Sequence, residues 1–181
     1  MDKCRSALAK EILIKTNYIH KKPDSISIAR YYGFQVCRTD FLNPKNNKVY
    51  KLLKRNQNIE NYFLRGFIIS DGKIYSDKNF IFIQDSQSLE YERFTNMYLL
   101  SKFLLDQPNE EYIEHAIDNL FDLDALELCR EILIPNELYK KETKYIANNI
   151  ENLSKKYNVP DFIAAQKILK YGGKKWTVLM I

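Results

Sequence analysis

The most constraining feature of this sequence is a stretch, residues 91–106, that would be apolar almost all the way round a helix. Phe94 and Met97 recur at helical spacing, and Leu99 and Phe103 carry the apolar surface to other faces. A helix of this kind must be covered on several sides. The sequence therefore predicts a central buried helix around which the other elements pack.

The composition is that of one globular domain. Of its 181 residues, 45% are hydrophobic and 28% are charged, which is enough for a core without disulfides or metal. Cys4, Cys37 and Cys129 lie far apart, which predicts reduced thiols and a cytoplasmic protein. No apolar run is long enough to cross a bilayer, and the polar start is unlike a secretory signal. We expect no membrane association.

The formal net charge of +5 is mildly basic. Nucleic-acid binders concentrate their lysines on one face, whereas the lysines here are scattered along the chain. This spacing favours a solvated surface and does not favour nucleic acid. A docking face for an acidic partner stays open as the alternative.

Before the central helix, the sequence predicts two helices, over residues 3–17 and 27–32, and then a short strand over 34–38. Residues 40–61 indicate a loop or insertion, with a short helix over 49–54. Two apolar runs, 66–69 and 73–75, flank Ser70, Asp71 and Gly72, a strong hairpin signal. With a strand over 80–83 they predict a small antiparallel three-stranded sheet.

Beyond the central helix the sequence predicts helices only, until an apolar strand or arm over residues 176–181. Together these elements indicate an α+β fold in a single domain, 1–181. Its parts are the N-terminal helices and strand (1–38), the insertion (40–61), the sheet with the central helices (62–135) and the C-terminal helices and tail (136–181). The helices predicted after the central one cover residues 110–117, 124–134, 144–157 and 161–171.

Two stretches of this chain resemble the ImmA/IrrE family of small metallopeptidases. Residues 93–105 are similar to the zinc-motif helix, usually close to Arg-Phe-Thr-x-Ala-His-Glu-Leu-Gly-His-x-Leu-Leu. Residues 124–135 are similar to the helix Glu-Ala-x-x-Phe-Ala-x-x-Leu-Leu-Met-Pro, whose first glutamate is the third metal ligand. The resemblance implies a mainly helical, zincin-like domain. Identities in the first stretch are Arg93, Phe94, Thr95, Leu100, Leu104 and Leu105.

The metal-binding residues of that motif are absent. Tyr98, Leu99 and Lys102 stand where the family has His, Glu and His. Neutral imidazoles one helical turn apart bind zinc, and the glutamate acts as general base. The resemblance therefore implies a scaffold without catalytic residues, metal ligands or cofactor. It also implies that Tyr98, Leu99, Lys102 and Asp124 converge around a vacated cleft that could hold a partner, although for Asp124 the role of helix N-cap is favoured.

Other arrangements of reactive residues are weak. His115, Asp118 and Asp122 would share one face of the predicted helix, but ligands spread over two turns do not reach one ion, so a solvated acidic face is favoured. His20 stands alone and is expected at the surface. With two histidines no catalytic triad can be assembled, and five glycines form no phosphate-binding loop.

The last two predicted helices, joined by a tight turn, have the form of a helix–turn–helix. The second would present Gln166, Lys167 and Lys170, a small set for reading bases. Ordinary packing is therefore favoured over DNA contact.

The leading functional hypothesis is a catalytically inactive ImmA/IrrE-like pseudopeptidase that regulates transcription by binding a partner. The resemblance implies that this partner is a helix–turn–helix repressor of a phage or mobile element. Two alternatives stay open at this point: an active zinc metallopeptidase that cleaves a repressor, in which case zinc would be its cofactor, and a DNA-binding regulator that uses the basic tail.

Overall fold

The computed structural model of the protein describes residues 2–40, 64–117, 120–142 and 144–171. Three predictions lie outside these residues. They are the loop over 41–61 with its short helix, the placement of Asp118, and the apolar segment 176–181.

In the described residues, eight helices and four strands form a mixed α+β fold. The strands are β1 (Gln35–Thr39), β2 (Leu64–Ser70), β3 (Phe80–Gln84) and β4 (Tyr112–Ile117). The helices are α1 (Asp2–Lys15), α2 (Ser25–Tyr31), α3 (Leu89–Asp106), α4 (Leu123–Leu133), α5 (Asn136–Tyr139), α6 (Lys144–Ala147), α7 (Ile150–Tyr157) and α8 (Asp161–Tyr171).

The sheet is larger than the sequence analysis expected. It has four strands in the order β1-β3-β2-β4, and the expectation of three antiparallel strands is wrong in two ways. β1 joins the sheet by running parallel to β3, with Gln35 paired to Phe80. β4 adds a strand beyond β2, to which it is antiparallel, with Ser70 paired to Tyr112.

β4 replaces the helix that was predicted over residues 110–117. Ile113 and Ala116 fit helical spacing, but in the structure they pair with Ile69 and Gly66 of β2. For a six-residue segment with a weak helical pattern, hydrogen bonds to the edge of β2 stabilise a strand more than local interactions stabilise a helix. The neighbouring strand therefore determines its secondary structure. His115 consequently lies on a strand.

The predicted strand over residues 73–75 is a loop. The Asp71 carboxylate accepts hydrogen bonds from the Lys73 backbone N–H at 3.2 Å and from Ser76 Oγ at 2.8 Å. Asn79 Nδ2 donates to the Lys73 carbonyl at 2.6 Å. These side-chain bonds compete with strand pairing, and Tyr75 has a φ of 64°. The loop therefore spans from the end of β2 to β3.

α3 confirms the predicted central helix, with bounds two residues earlier at its start. Its side chains are buried on most faces, by the sheet on one side and by α2 and α4 on others. Gly66 of β2 permits the close approach. A Cβ atom there would lie 2.7 Å from Thr95 Cγ2 and 2.6 Å from the Phe82 carbonyl oxygen, so a larger residue would push helix and sheet apart.

The flanking helices follow the predicted order with changed boundaries. α2 begins at Ser25, because the Asp24 carboxylate accepts the Ile26 N–H at 3.0 Å and caps it. The helix predicted over 144–157 is two helices, since Asn149 caps α7 by accepting the Asn152 N–H at 2.9 Å. No helix in the described part of the chain is long and apolar enough to span a membrane.

Candidate functional site

The candidate site lies where the middle of α3 meets the start of α4. Tyr98 and Lys102 are one turn apart on α3, so both side chains project from one face of the helix. Asp122, at the start of α4, and Glu114, on β4, approach them from two other elements. We call Tyr98, Lys102, Glu114 and Asp122 the α3–α4 site.

Tyr98 connects the two helices. Its hydroxyl oxygen accepts a hydrogen bond from the Asp122 backbone N–H at 2.8 Å, and its ring packs edge-on against Phe121 with centroids 5.1 Å apart. The side chain is only 2% exposed. Burial raises the pKa of Tyr98 to about 12, so the phenol is neutral at physiological pH.

Lys102 supplies a positive charge among carboxylates from three elements. Its Nζ lies 3.5 Å from Glu114, and 3.9 Å from both Asp106 and Asp122. The lysine side chain is 17% exposed. An ammonium in partial contact with water and at these distances contributes little to stability, but it neutralises a cluster of acids that would otherwise repel one another.

Asp122, and not Asp124, caps α4. The Asp122 carboxylate accepts the backbone N–H groups of Asp124 at 2.9 Å and Ala125 at 2.8 Å. The alternative role expected for Asp124, that of helix cap, is therefore wrong by two positions. Asp124 is half exposed and forms an ion pair with Arg5 of α1, so its carboxylate has a partner outside the α3–α4 site.

Leu99 faces the sheet. It is fully buried, and its Cδ1 would lie 3.3 Å from a Cβ atom placed on Gly66. The structure thus brings Tyr98 and Lys102 together around Asp122, while Leu99 and Asp124 point to other neighbours. Because Tyr98 and Leu99 are both buried, they cannot line an open cleft, and the partner cleft expected from Tyr98, Leu99, Lys102 and Asp124 is not an open pocket in this conformation.

The donor set of the α3–α4 site does not fit zinc. A protonated lysine offers no lone pair, and the Tyr98 oxygen is already bonded to a backbone N–H. Within the described ranges, no group of three or more His, Cys, Asp or Glu residues is arranged to hold a metal ion. The helical face proposed for His115 and Asp122 does not exist, since His115 lies on β4.

The basic residues that would contact DNA in the DNA-binding alternative point into the protein or form ion pairs. Lys167 is 0% exposed and bonds Glu131 at 2.9 Å and Asn136 at 2.7 Å. Lys170 is paired with Glu127. Two of the three residues that the alternative would need for reading bases are thus engaged by acids of α4, in agreement with the favoured prediction of ordinary packing.

Two members of the α3–α4 site were missed from the sequence as partners of α3. Asp122 was missed because Asp124 alone was considered as the cap of α4. The preceding Phe121 was the available signal, because an apolar residue before a cap commonly anchors the helix start. Glu114 was hidden by the wrong assignment of β4 as helix.

Comparisons with known proteins add no relative. No protein-family model matches the chain, and no curated protein and no solved structure matches it either.

Proposed function

We propose that this protein is a catalytically inactive, zincin-like relative of the ImmA/IrrE metallopeptidases that acts in the cytoplasm by binding a partner protein. The observation that supports it most is the contact between Tyr98 and Asp122. The contact joins the helix that resembles the zinc-motif helix to the start of the helix that resembles the third-ligand helix. At this place the Tyr98 hydroxyl accepts the Asp122 backbone N–H, and Lys102 lies near the carboxylates of Glu114 and Asp122.

The surface beside this contact favours a protein partner. Leu120 and Leu123 flank Asp122, and they expose 56% and 78% of their surface. Exposed leucines next to a charged cluster of Lys102, Glu114 and Asp122 form the apolar centre and polar rim that protein interfaces combine. A helix–turn–helix repressor is the partner class that the resemblance implies.

The first experiment measures zinc in the purified, chelator-washed protein by elemental analysis. We expect no stoichiometric zinc, because Tyr98 and Lys102 replace both imidazoles. About one zinc ion per chain would overturn the proposal and favour the active peptidase.

The second experiment restores ligands. Tyr98→His with Lys102→His and Asp122→Glu should create zinc affinity, since two imidazoles and a carboxylate make a three-ligand site with an open fourth position. The same histidines with Asp124→Glu serve as the control and should bind more weakly, because Asp124 is held by Arg5. Zinc binding by neither variant would contradict the correspondence with the family's motif. Binding by the Asp122 variant alone would place the third ligand two residues before Asp124, the position that the resemblance gives it.

The third experiment tests the partner directly. The protein is added to repressor–operator complexes of helix–turn–helix repressors from its own genome, and DNA release is followed together with intact repressor mass. Release without fragments supports the proposal, and fragments contradict it. Leu123→Ser should abolish release, whereas Tyr145→Ser, which changes a residue of equal exposure on α6 (75%), should not.

A further inference from the structure

A second site is built on the other side of α3. A cavity of about 720 Å³ opens between the start of α2, strands β1 and β3, and the first half of α3. Its size lies within the range of small-molecule and peptide-end pockets. Asn96, which lines it, is about 200° round the helix from Tyr98, so the cavity is separate from the α3–α4 site.

Asn96 is the least expected residue in this cavity. It is 1% exposed, and neither its Oδ1 nor its Nδ2 has a hydrogen-bond partner among the described residues. Buried amides in folded proteins almost always have partners, because leaving them unpaired is costly. An amide that offers one donor group and one acceptor to a cavity is suited to a ligand with the complementary pair.

Arg93 lies one turn before Asn96 and also lines the cavity. Its Nε and Nη2 are buried and lack partners in the described part of the chain. These two N–H groups form one edge of the guanidinium, the edge that a carboxylate can accept through two parallel hydrogen bonds. Burial lowers the pKa of Arg93 to about 10, so the group remains charged at neutral pH.

The acids nearest the cavity are occupied. Asp24 accepts the Ile26 N–H at 3.0 Å and Ser27 Oγ at 3.0 Å while capping α2. Glu92 is paired with Arg38 at 2.7 Å. The Nε–Nη2 edge of the Arg93 guanidinium therefore has no hydrogen-bonded acid among the described residues.

Lys22 adds a second cation to the cavity wall. It forms no ion pair with any described residue, and burial together with the neighbouring Arg93 lowers the pKa of Lys22. Asp24 also acts electrostatically on Arg93, but Lys22 and Arg93 both line the cavity and make it attractive to an anion.

The other residues that line the cavity indicate which kind of anion it would bind. Val36, Ile83 and Leu89 contribute aliphatic surface, and the described lining contains no aromatic ring on which a base could stack. The two occupied acids, Asp24 and Glu92, disfavour a doubly charged group such as phosphate. A singly charged carboxylate next to an amide and an aliphatic side chain meets each of these conditions.

We propose that this cavity binds the free C-terminal residue of a peptide, with its carboxylate on Arg93, its last amide on Asn96 and its side chain against the aliphatic wall. We call it the Arg93–Asn96 site. It goes beyond the proposed function, because it uses the opposite face of α3.

The test compares two forms of the same ligand. Acetylated tripeptides with every residue type at the last position are titrated into the full-length protein by calorimetry, once as free acids and once as C-terminal amides. We expect binding of free acids that end in aliphatic residues, and at least about tenfold weaker binding of the matching amides. Equal affinity of acid and amide, or no binding by any free acid, would overturn the proposal.

Variants locate the site. Arg93→Gln should weaken binding of the free acid by about tenfold or more, while Arg30→Gln, an exposed arginine near the end of α2, should leave it unchanged. If Arg93→Gln does not fold, the acid-to-amide ratio in the unmodified protein still decides the matter. Inorganic phosphate is the third probe, and phosphate binding tighter than that of any peptide would overturn the assignment to a C-terminus.

Failure here is distinguishable from failure of the proposed function. Leu123→Ser should abolish repressor release but leave tripeptide binding intact. Arg93→Gln should weaken tripeptide binding but leave repressor release intact. A tripeptide affinity that falls with Leu123→Ser and not with Arg93→Gln would move the binding site to α4 and overturn the inference.

Discussion

Two cations in this molecule, the buried Lys167 and the half-buried Arg93, stand in opposite circumstances. Lys167 of α8 bonds Glu131 and Asn136 at 2.9 and 2.7 Å, whereas Nε and Nη2 of Arg93 have no partner among described residues. Burying a charge is costly unless hydrogen bonds and an opposite charge compensate. The comparison separates a charge that holds the fold together from one that is held ready for a ligand.

The surroundings of Lys167 show which contacts offset the cost of burying its charge. Glu131 also accepts from the Tyr171 hydroxyl at 3.1 Å, and Arg130 approaches the same carboxylate at 3.3 Å. These bonds tie α4 to α8. Burial lowers the pKa of Lys167 to about 8, which leaves the lysine mainly protonated at neutral pH.

The largest change in the free energy of unfolding is expected when Lys167, the buried charge with hydrogen-bond partners, is removed. Lys167→Met should lower the free energy of unfolding by ~3–5 kcal/mol, because Glu131 would remain buried without its main partner. Chemical denaturation measures this. Lys155→Met, which removes an exposed i,i+4 ion pair with Glu151, is the control and should produce no measurable change. A loss at Lys167 as small as the control's would mean that Lys170 or Arg130 replaces it.

Leucine-to-alanine substitutions in α3 measure how much a buried apolar side chain of that helix stabilises the fold. Leu99→Ala should lower the free energy of unfolding by ~2–5 kcal/mol, as should Leu100→Ala, because both side chains are fully buried and each leaves a cavity. A cleft-lining Leu99 would instead give a clearly milder loss than Leu100. Denaturation of both variants under one set of conditions decides between the two.

Tyr98 is an intermediate case, a buried neutral group with one partner. Tyr98→Phe should cost about 1 kcal/mol, since the Asp122 N–H loses its acceptor. The effect also depends on pH. Burial raises the pKa of Tyr98 from 10.0 to about 12, so the folded protein holds this proton more tightly than the unfolded chain does.

The stability that Tyr98 contributes through this proton is complete below pH 10 and is lost as the pH rises towards 12. Tyr32 behaves alike, because burial also raises its pKa to about 12. We expect the free energy of unfolding to fall over this window, and to fall less steeply in Tyr98→Phe. Identical slopes in both proteins would contradict the burial of Tyr98.

The smallest effect is expected at the uncompensated charge. Arg93→Met should leave the free energy of unfolding within about 0.5 kcal/mol or raise it by up to about 1 kcal/mol, because it removes unpaired buried donors while keeping the side-chain volume. Arg130→Met is the matched control: Arg130 is buried and paired with Glu127 and Glu131, and its loss should cost ~1–3 kcal/mol. Equal losses at both arginines would show that Arg93 has a structural partner.

The sequence predicted the parts of the fold that depend on strong local patterns. Residues 91–106 are apolar on so many faces that a central helix was the consistent assignment, and Phe80 to Ile83 is a continuous apolar run that became β3. Residues 73–75 and 112–117 were assigned wrongly because their state depends on what lies beside them. Asp71 accepts a hydrogen bond from the Lys73 N–H and holds residues 73–75 in a loop. Residues 112–117 pair with the edge of β2 and form a strand.

The sites divide in the same manner. Tyr98 and Lys102 were singled out by the resemblance to the zinc-motif helix, and their proximity follows because their spacing on one helix is fixed by the sequence itself. Asp122 could not be chosen over Asp124 without the turn that precedes α4. The Arg93–Asn96 site was beyond prediction, since its walls come from β1, β3 and the start of α2, which meet only in the folded chain.

The strand order has a kinetic consequence for that site. β2 and β3 are joined by a short loop, and Ile69 pairs with Phe80 only 11 positions away, whereas β1 must find β3 across 45 positions between Gln35 and Phe80. Closing the longer loop is entropically more expensive and slows pairing. Because Val36 and Arg38 of β1 line the cavity, we expect the Arg93–Asn96 site to assemble after β2 and β3 have paired during refolding, and the amides of β1 to exchange with solvent before those that join β2 to β3.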